Sequence, residues 1–131
     1  MILLPITSLY ASINALIIIY LAFKVTRIRR GKKIGVGTRG DKGLAVATRA
    51  HANNIETSVA VLPLLMLAEL NHASPTILQV AGLGFIIGRV LHFWGFFKTE
   101  GGYSVGRFLG TLSAWVATIL LAVTNLYMLF I

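Results

Sequence analysis

The sequence contains no cysteine and only four acidic residues, and charged residues of either sign make up 12% of it. The absence of cysteine excludes disulfides and thiolate-bound metals, and it leaves the redox compartment undetermined. A soluble domain carries about 25% charged residues, whereas hydrophobic residues account for 56% of this chain. The protein therefore has too few polar side chains to cover a water-facing surface, and its composition predicts a protein that resides in a lipid bilayer.

The chain of 131 residues is long enough for one small domain and too short for two, so we predict a single domain over residues 1–131. Residues 1–23 carry no charge, and a helix that spans a bilayer needs about 20 apolar residues. Lys24, the first positive charge, follows this run, whereas in a secretory signal peptide the positive charge comes first. We interpret the N-terminal segment as a retained membrane helix.

Four largely apolar segments alternate with short connections, two of which are rich in glycine and argue against continuous helix. The predicted helices span residues of about 3–30, 44–70, 76–97 and 107–130. Short connections favour antiparallel neighbours. The predicted fold class is therefore all-α, an integral membrane protein built as an up-down four-helix bundle.

The net charge of +8 is concentrated in residues 24–42, between two apolar segments. Nucleic-acid binding would need a soluble basic face, so no nucleic-acid partner is expected. The first and third connections hold lysine and arginine, and the second holds neither. The positive-inside rule then places the basic first loop in the cytoplasm and both termini on the opposite side.

Ionisable residues inside membrane helices are costly and are usually retained for a function. At about 100° per residue, Arg49, Asn53 and Glu56 share one face of the second predicted helix. Arg89 and His92 form a similar stripe, with Phe96, on the third helix. Such residues can simply pair and hold helices together, and arginines near a helix end can reach the interface. One glutamate, however, cannot neutralise every arginine in or next to these helices (Arg27, Arg49, Arg89 and Arg107). The excess predicts an anionic ligand held by bidentate arginine contacts.

Other chemistries have little support in the sequence. His51 lies on roughly the opposite face from Arg49, and His72 lies in a turn, so the histidines lack metal-ligand spacing and no metal site is predicted. The sequence shows neither a Ser-His-Asp set nor a phosphate-binding glycine loop. A small multidrug transporter has similar length and four helices, but such proteins need a carboxylate in the first helix, and residues 1–23 contain none.

The run Arg49–Thr57, RAHANNIET, resembles the second-helix signature of the MAPEG family, the membrane-associated proteins of eicosanoid and glutathione metabolism. The run RVLH at residues 89–92 is similar to the family's third-helix motif, and VTRIRR at residues 25–30 is similar to the end of its first helix. Arg107 resembles the arginine that opens its fourth helix. The likeness is to bacterial-type, microsomal glutathione S-transferase-like members, and it covers essentially the whole chain. It implies a bacterial inner membrane as the location.

This resemblance implies a homotrimer that binds glutathione, as cosubstrate, between neighbouring subunits. The residues that it assigns to glutathione binding are Arg27, Arg49, Asn53, Glu56, Arg89 and His92. Arg107 inherits the catalytic role of stabilising the thiolate. The sequence departs from the family at Phe96, where several members carry tyrosine, and at Phe108, where some carry a polar residue.

The expected function is that of a glutathione-dependent membrane transferase or peroxidase acting on lipophilic electrophiles or lipid hydroperoxides. The lipophilic substrate would arrive from the membrane lipid and glutathione from the cytoplasm. Phe96 and Phe108 motivate the alternative, a non-catalytic membrane protein that binds glutathione or another anion.

Overall fold

The computed structural model describes residues 3–130, and within them every regular element is an α-helix. The elements are α1 (Pro5–Lys32), α2 (Lys42–Leu70), α3 (Pro75–Lys98) and α4 (Val105–Met128). The all-α membrane bundle predicted from the sequence is confirmed. Residues 1, 2 and 131, which the predicted domain includes, lie outside the described range.

Each helix begins at a residue that suits a first turn. Pro5 and Pro75 open α1 and α3, where the missing N–H costs nothing. Asp41 caps α2, since its Oδ1 accepts a hydrogen bond from the Leu44 amide at 2.7 Å. Ser104 caps α4 in the same way through the Arg107 amide, at 3.2 Å. Proline in the first turn or a capping side chain therefore marks the start of each helix.

Neighbouring helices run antiparallel. Lys32 at the end of α1 pairs with Asp41 just before α2, and Glu69 at the end of α2 contacts the start of α1. Gly88 on α3 lies against Gly110 on α4. α2 packs against all three other helices, whereas α1 and α4 do not contact each other within residues 3–130. We call the end of the bundle that holds the α1–α2 and α3–α4 connections the basic end.

The half of the bundle away from the basic end holds the larger apolar core. Its side chains come from every helix and are buried: Tyr10, Val61, Leu65, Leu78, Phe85, Ala114 and Leu121. A smaller cluster of Leu21, Val46, Ala50 and Phe96 lies toward the basic end. Large apolar side chains are also exposed on the outer faces, such as Leu16, Trp115 and Ile119. An apolar exterior is what hydrocarbon solvates well.

The Glu69 carboxylate joins α2 to α1 by hydrogen bonds in the half of the bundle away from the basic end. It accepts hydrogen bonds from the amides of Ile6 and Thr7, at 2.8 and 2.6 Å. These amides belong to the first turn of α1, where no helical partner is available. A negative charge at a helix N-terminus is also stabilised by the helix dipole. Glu69 therefore fastens the end of α2 to the start of α1.

Close contact between α3 and α4 depends on glycine. A Cβ added at Gly88 would lie 2.9 Å from the Gly110 carbonyl oxygen, and one added at Gly110 would lie 2.7 Å from the backbone nitrogen of His92. Small residues let membrane helices approach this closely. The approach brings the Gly110 carbonyl within reach of the α3 side chains.

A buried set of hydrogen bonds joins α1 to α2. Asn14 Nδ2 donates to Ser58 Oγ at 2.8 Å, and Asn54 Nδ2 donates to Asn14 Oδ1 at 3.1 Å. All three side chains are buried. Hydrogen bonds of this kind hold membrane helices together because hydrocarbon offers no alternative partner.

Three helices, α1, α3 and α4, are long and apolar enough to cross a membrane. α2 is not among these candidates because its first half is polar, with Arg49, Asn53 and Glu56. It is nevertheless 29 residues long and packs along the other three helices. The sequence predicts four crossing helices. For α2, crossing the membrane depends on the helices packed around it and not on its own composition.

Candidate functional site

Arg89 is the most deeply buried arginine of the chain, with 2% of its surface exposed. Its Nη1 donates to Asn53 Oδ1 at 2.9 Å and to Thr57 Oγ1 at 3.1 Å, and its Nη2 donates to the Gly110 carbonyl at 3.0 Å. All of these acceptors are neutral. Within residues 3–130 no carboxylate pairs with Arg89, so its positive charge is solvated but not neutralised.

Arg49 and Glu56 pair with each other along one face of α2. The two bonds join Nη1 to Oε1 at 3.2 Å and Nη2 to Oε2 at 3.1 Å, and both side chains are more than half exposed. A charged pair that faces hydrocarbon is costly, and a polar ligand or a second copy of the chain would lower that cost. Since Glu56 is occupied by Arg49, it does not balance Arg89.

His92 and Arg107 contact Phe96 from two helices. The imidazole of His92 stacks on the Phe96 ring with centroids 5.9 Å apart, and the Arg107 guanidinium lies 4.2 Å from the ring centroid. Arg107 Nη1 also donates to the carbonyls of Gly101 and Gly102, at 2.7 and 2.5 Å. Phe96 stands where several family members carry tyrosine, and its ring lies between these two side chains.

An open groove between α2 and α4 borders the polar stripe of α2. Its volume is about 380 Å³. Asn53, Glu56 and Thr57 line one part of it, and Ala60, Trp115 and Ile119 line another. The groove thus offers hydrogen-bonding groups and an apolar wall side by side.

The predicted site residues do not all meet inside one chain. Asn53 and Glu56 line the α2–α4 groove, while Arg107 lines a separate cavity of about 340 Å³ with Tyr103 and Phe108. Arg27 lines a third cavity, between α1, α2 and the end of α3. The reason is topological, because Arg27 is on α1 and α1 does not contact α4 within the described residues.

Metal ligation has no geometric support in the described part of the chain. No three His, Asp or Glu side chains gather there at a spacing that could hold an ion. His51 is half-buried on α2, and His72 lies in the turn before α3 with φ of 60°.

Comparison with known proteins identifies the family. The MAPEG family model matches residues 7–127. The chain belongs to the MAPEG family. This MAPEG protein is 28% identical to the inner membrane protein YecN of Escherichia coli, in strains K12 and O6:H1, over 93% of its own length and 91% of the relative's. It is 29% identical to the protein sll1147 of Synechocystis over 77% of its length and 75% of that protein. No solved structure matches it significantly.

The sequence-based prediction of the family is confirmed, and the apolar helices and the inner membrane relative support an integral membrane location. The roles assigned to individual residues stay predictions.

Two contacts of this MAPEG protein were missed by sequence reasoning, namely the Thr57 hydroxyl and the Gly110 carbonyl that hold Arg89. The position of Thr57, four residues after Asn53, was the available signal, since such residues share a helix face. A backbone acceptor such as Gly110 leaves no signal in side-chain patterns.

Proposed function

We propose that this MAPEG protein is a glutathione-dependent transferase or peroxidase that acts on lipophilic electrophiles or lipid hydroperoxides. The observation that carries the proposal is the unbalanced charge of Arg89 beside the α2–α4 groove, where the carboxylate of Glu56 is held by Arg49. Glutathione carries two carboxylates, one ammonium group and a thiol. Its carboxylates suit guanidinium partners, and its ammonium group suits Glu56.

The groove supports a lipophilic cosubstrate. Trp115 and Ile119 form its apolar wall, and both side chains are exposed on the outside of the chain. A substrate dissolved in the bilayer would reach this wall without crossing water. Glutathione bound at Asn53 and Glu56 would then hold its sulfur next to the apolar compound, which is catalysis by proximity.

The proposed chemistry uses the glutathione thiolate as nucleophile. In transfer, its sulfur forms a bond to the electrophilic carbon and the leaving group departs with the bonding electron pair. In hydroperoxide reduction, two glutathione molecules are oxidised to the disulfide while the hydroperoxide becomes an alcohol and water. A guanidinium such as that of Arg107 stabilises a thiolate and increases its reactive fraction.

The proposal includes a homotrimer in the inner membrane, with the basic loop in the cytoplasm. Arg27 of one chain lies away from that chain's own α2–α4 groove. A second copy packed against the groove would bring its own α1, and thus another Arg27, toward Glu56. The exposed Arg49–Glu56 pair supports such a contact, because a neighbouring subunit would shield it from lipid.

Calorimetry in detergent micelles tests glutathione binding. We expect wild-type protein to bind and Arg49→Gln to bind at least about tenfold more weakly, since a charge-assisted contact is lost and Glu56 is left unpaired. Arg30→Gln removes the same charge from an exposed site near the basic end and should bind as wild type. Absence of binding by the wild type, or equal binding by Arg49→Gln, would contradict the proposal.

A second candidate function is glutathione or anion binding without catalysis. The hydrogen bonds of Arg107 to Gly101 and Gly102, together with its contact with Phe96, favour it because they occupy the guanidinium. Conjugation of a chlorodinitrobenzene substrate, or reduction of a hydroperoxide, at rates above the uncatalysed reaction would reject this candidate.

A further inference from the structure

A cavity lies at the basic end, between the end of α1, the start of α2 and the end of α3. Its volume is about 780 Å³, within the range of small-molecule sites. Four cationic side chains and one carboxylate line it: Lys24, Arg27, Lys32, Lys42 and Glu100. It is separate from the α2–α4 groove, and only Arg27 belongs to the residues predicted to bind glutathione.

The two carboxylates near this cavity are already paired. Lys32 pairs with Asp41, and Lys42 Nζ lies 3.1 Å from Glu100 Oε2. Lys24 and Arg27 have no carboxylate partner within residues 3–130, and the Lys24 ammonium rests 4.3 Å from the centroid of the Phe97 ring. The cavity therefore has an unbalanced positive charge that an anion would neutralise.

The wall of the cavity is apolar where it meets the helices. Ile28 and Phe97 are half-buried, and Val46 is buried. Lys24 is also the residue at which the uncharged stretch of α1 ends. The cavity thus lies where hydrocarbon gives way to headgroups, and cations beside apolar side chains suit an anion attached to an acyl chain.

We propose that this cavity binds the headgroup of an anionic phospholipid. The phosphate lies near Lys24 and Lys42, since the pair that Lys42 forms with Glu100 is exposed and weak enough for a phosphate to replace it. The first acyl carbons lie against Ile28 and Phe97. Free glutathione fits less well, because it is polar along its whole length and would leave the apolar wall without a partner. The proposal does not depend on the glutathione reaction.

Native mass spectrometry of the full chain in dodecyl maltoside tests this site. Phosphatidylglycerol is the probe, with phosphatidylcholine and free glycerol 3-phosphate as comparison ligands. Wild-type protein should retain phosphatidylglycerol at least about tenfold more strongly than phosphatidylcholine. Lys24→Gln/Lys42→Gln should weaken its binding roughly thirtyfold, from the loss of two charges near a lipid headgroup.

The matched control is Arg30→Gln/Lys33→Gln, which removes two charges from exposed positions at the same end, outside the cavity lining. It should change binding less than threefold, and Lys24→Arg/Lys42→Arg should bind as wild type. Equal losses in the two glutamine pairs would overturn the proposal in favour of diffuse surface charge. Equal retention of the two lipids would also overturn it, as would competition by glycerol 3-phosphate at matched concentration or displacement of the lipid by glutathione.

Discussion

The two halves of the bundle use polar groups in opposite ways. Away from the basic end, the two oxygens of the Glu69 carboxylate each accept one hydrogen bond, from the amides of Ile6 and Thr7, and the helices surround an apolar core. Toward the basic end, Arg89 is held only by neutral acceptors, and Lys24 and Arg27 lack carboxylates within the described residues. One half uses its carboxylate to join two helices, while the other retains positive charge that a ligand can neutralise.

The largest expected effect comes from Gly110→Ala, at the close contact between α3 and α4. A Cβ there would meet the backbone of α3, which cannot move aside as a flexible side chain can. We expect a loss of about 3 kcal/mol in unfolding free energy, together with weaker glutathione binding, because Arg89 loses its acceptor geometry. Thermal unfolding in detergent and calorimetry measure the two effects. Gly84→Ala is the control, since its Cβ would lie 3.6 Å from Ser113 Oγ in ordinary contact.

A substitution at Glu69 should separate stability from binding. Glu69→Ala removes two hydrogen bonds to a charged acceptor and should cost about 2 kcal/mol of stability. Glutathione affinity should stay as in wild type, since the α2–α4 groove is not involved. Glu100→Ala, which removes an exposed carboxylate, should leave the unfolding temperature nearly unchanged. A loss of glutathione binding in folded Glu69→Ala would break the distinction between the halves.

At Thr57, binding and stability should both change. Thr57→Val removes one acceptor of Arg89 while keeping the shape of the side chain, so glutathione affinity should fall about fivefold, or ~1 kcal/mol. The unfolding free energy should fall by about 1 kcal/mol or more, because a buried N–H of Arg89 is left without a partner. Thr118→Val is the matched control in the same groove, because the Thr118 hydroxyl bonds only to its own helix, at Ala114. If calorimetry gives the two variants the same affinity, Thr57 does not act through Arg89.

The smallest effect concerns pH and the start of α2. The hydrogen bond from Lys32, followed by that from the Leu44 amide, lowers the pKa of Asp41 below its ordinary value of 3.8. The ionised Asp41 carboxylate therefore stabilises the folded state fully at pH values above 3.8. This stabilisation is lost as the pH falls through the lower pKa that Asp41 has in the folded state. Unfolding temperatures of wild type and Asp41→Asn should converge in acid, and a constant gap down to the lowest accessible pH would contradict this assignment.

The helices and their faces could be predicted from the sequence, because apolar length and the angle per residue are local properties. The stripe of Arg49, Asn53 and Glu56 does lie on one side of α2, and Asn53 does meet Arg89 of α3. The separation of Arg27 from this stripe could not be predicted. It depends on which helices touch, and no periodicity within a single helix encodes that choice.

Glu69 shows a second limit of sequence reasoning. A lone glutamate near a helix end has no pattern that names its partner, which here is the first turn of a helix more than sixty residues away. Phe96 shows a third limit. Comparison with the family draws attention only to the phenol that Phe96 lacks, whereas in the structure its ring contacts His92 and Arg107.

The hydrogen bonds among Asn14, Asn54 and Ser58 have a consequence for how the chain enters a membrane. α2 is too polar to qualify as a spanning helix by itself, and an asparagine that faces acyl chains alone has no partner. Docked against α1, Asn54 donates a hydrogen bond from its Nδ2 to Asn14 Oδ1. Because α1 supplies this partner, we expect the first two helices to enter the membrane together, as a hairpin.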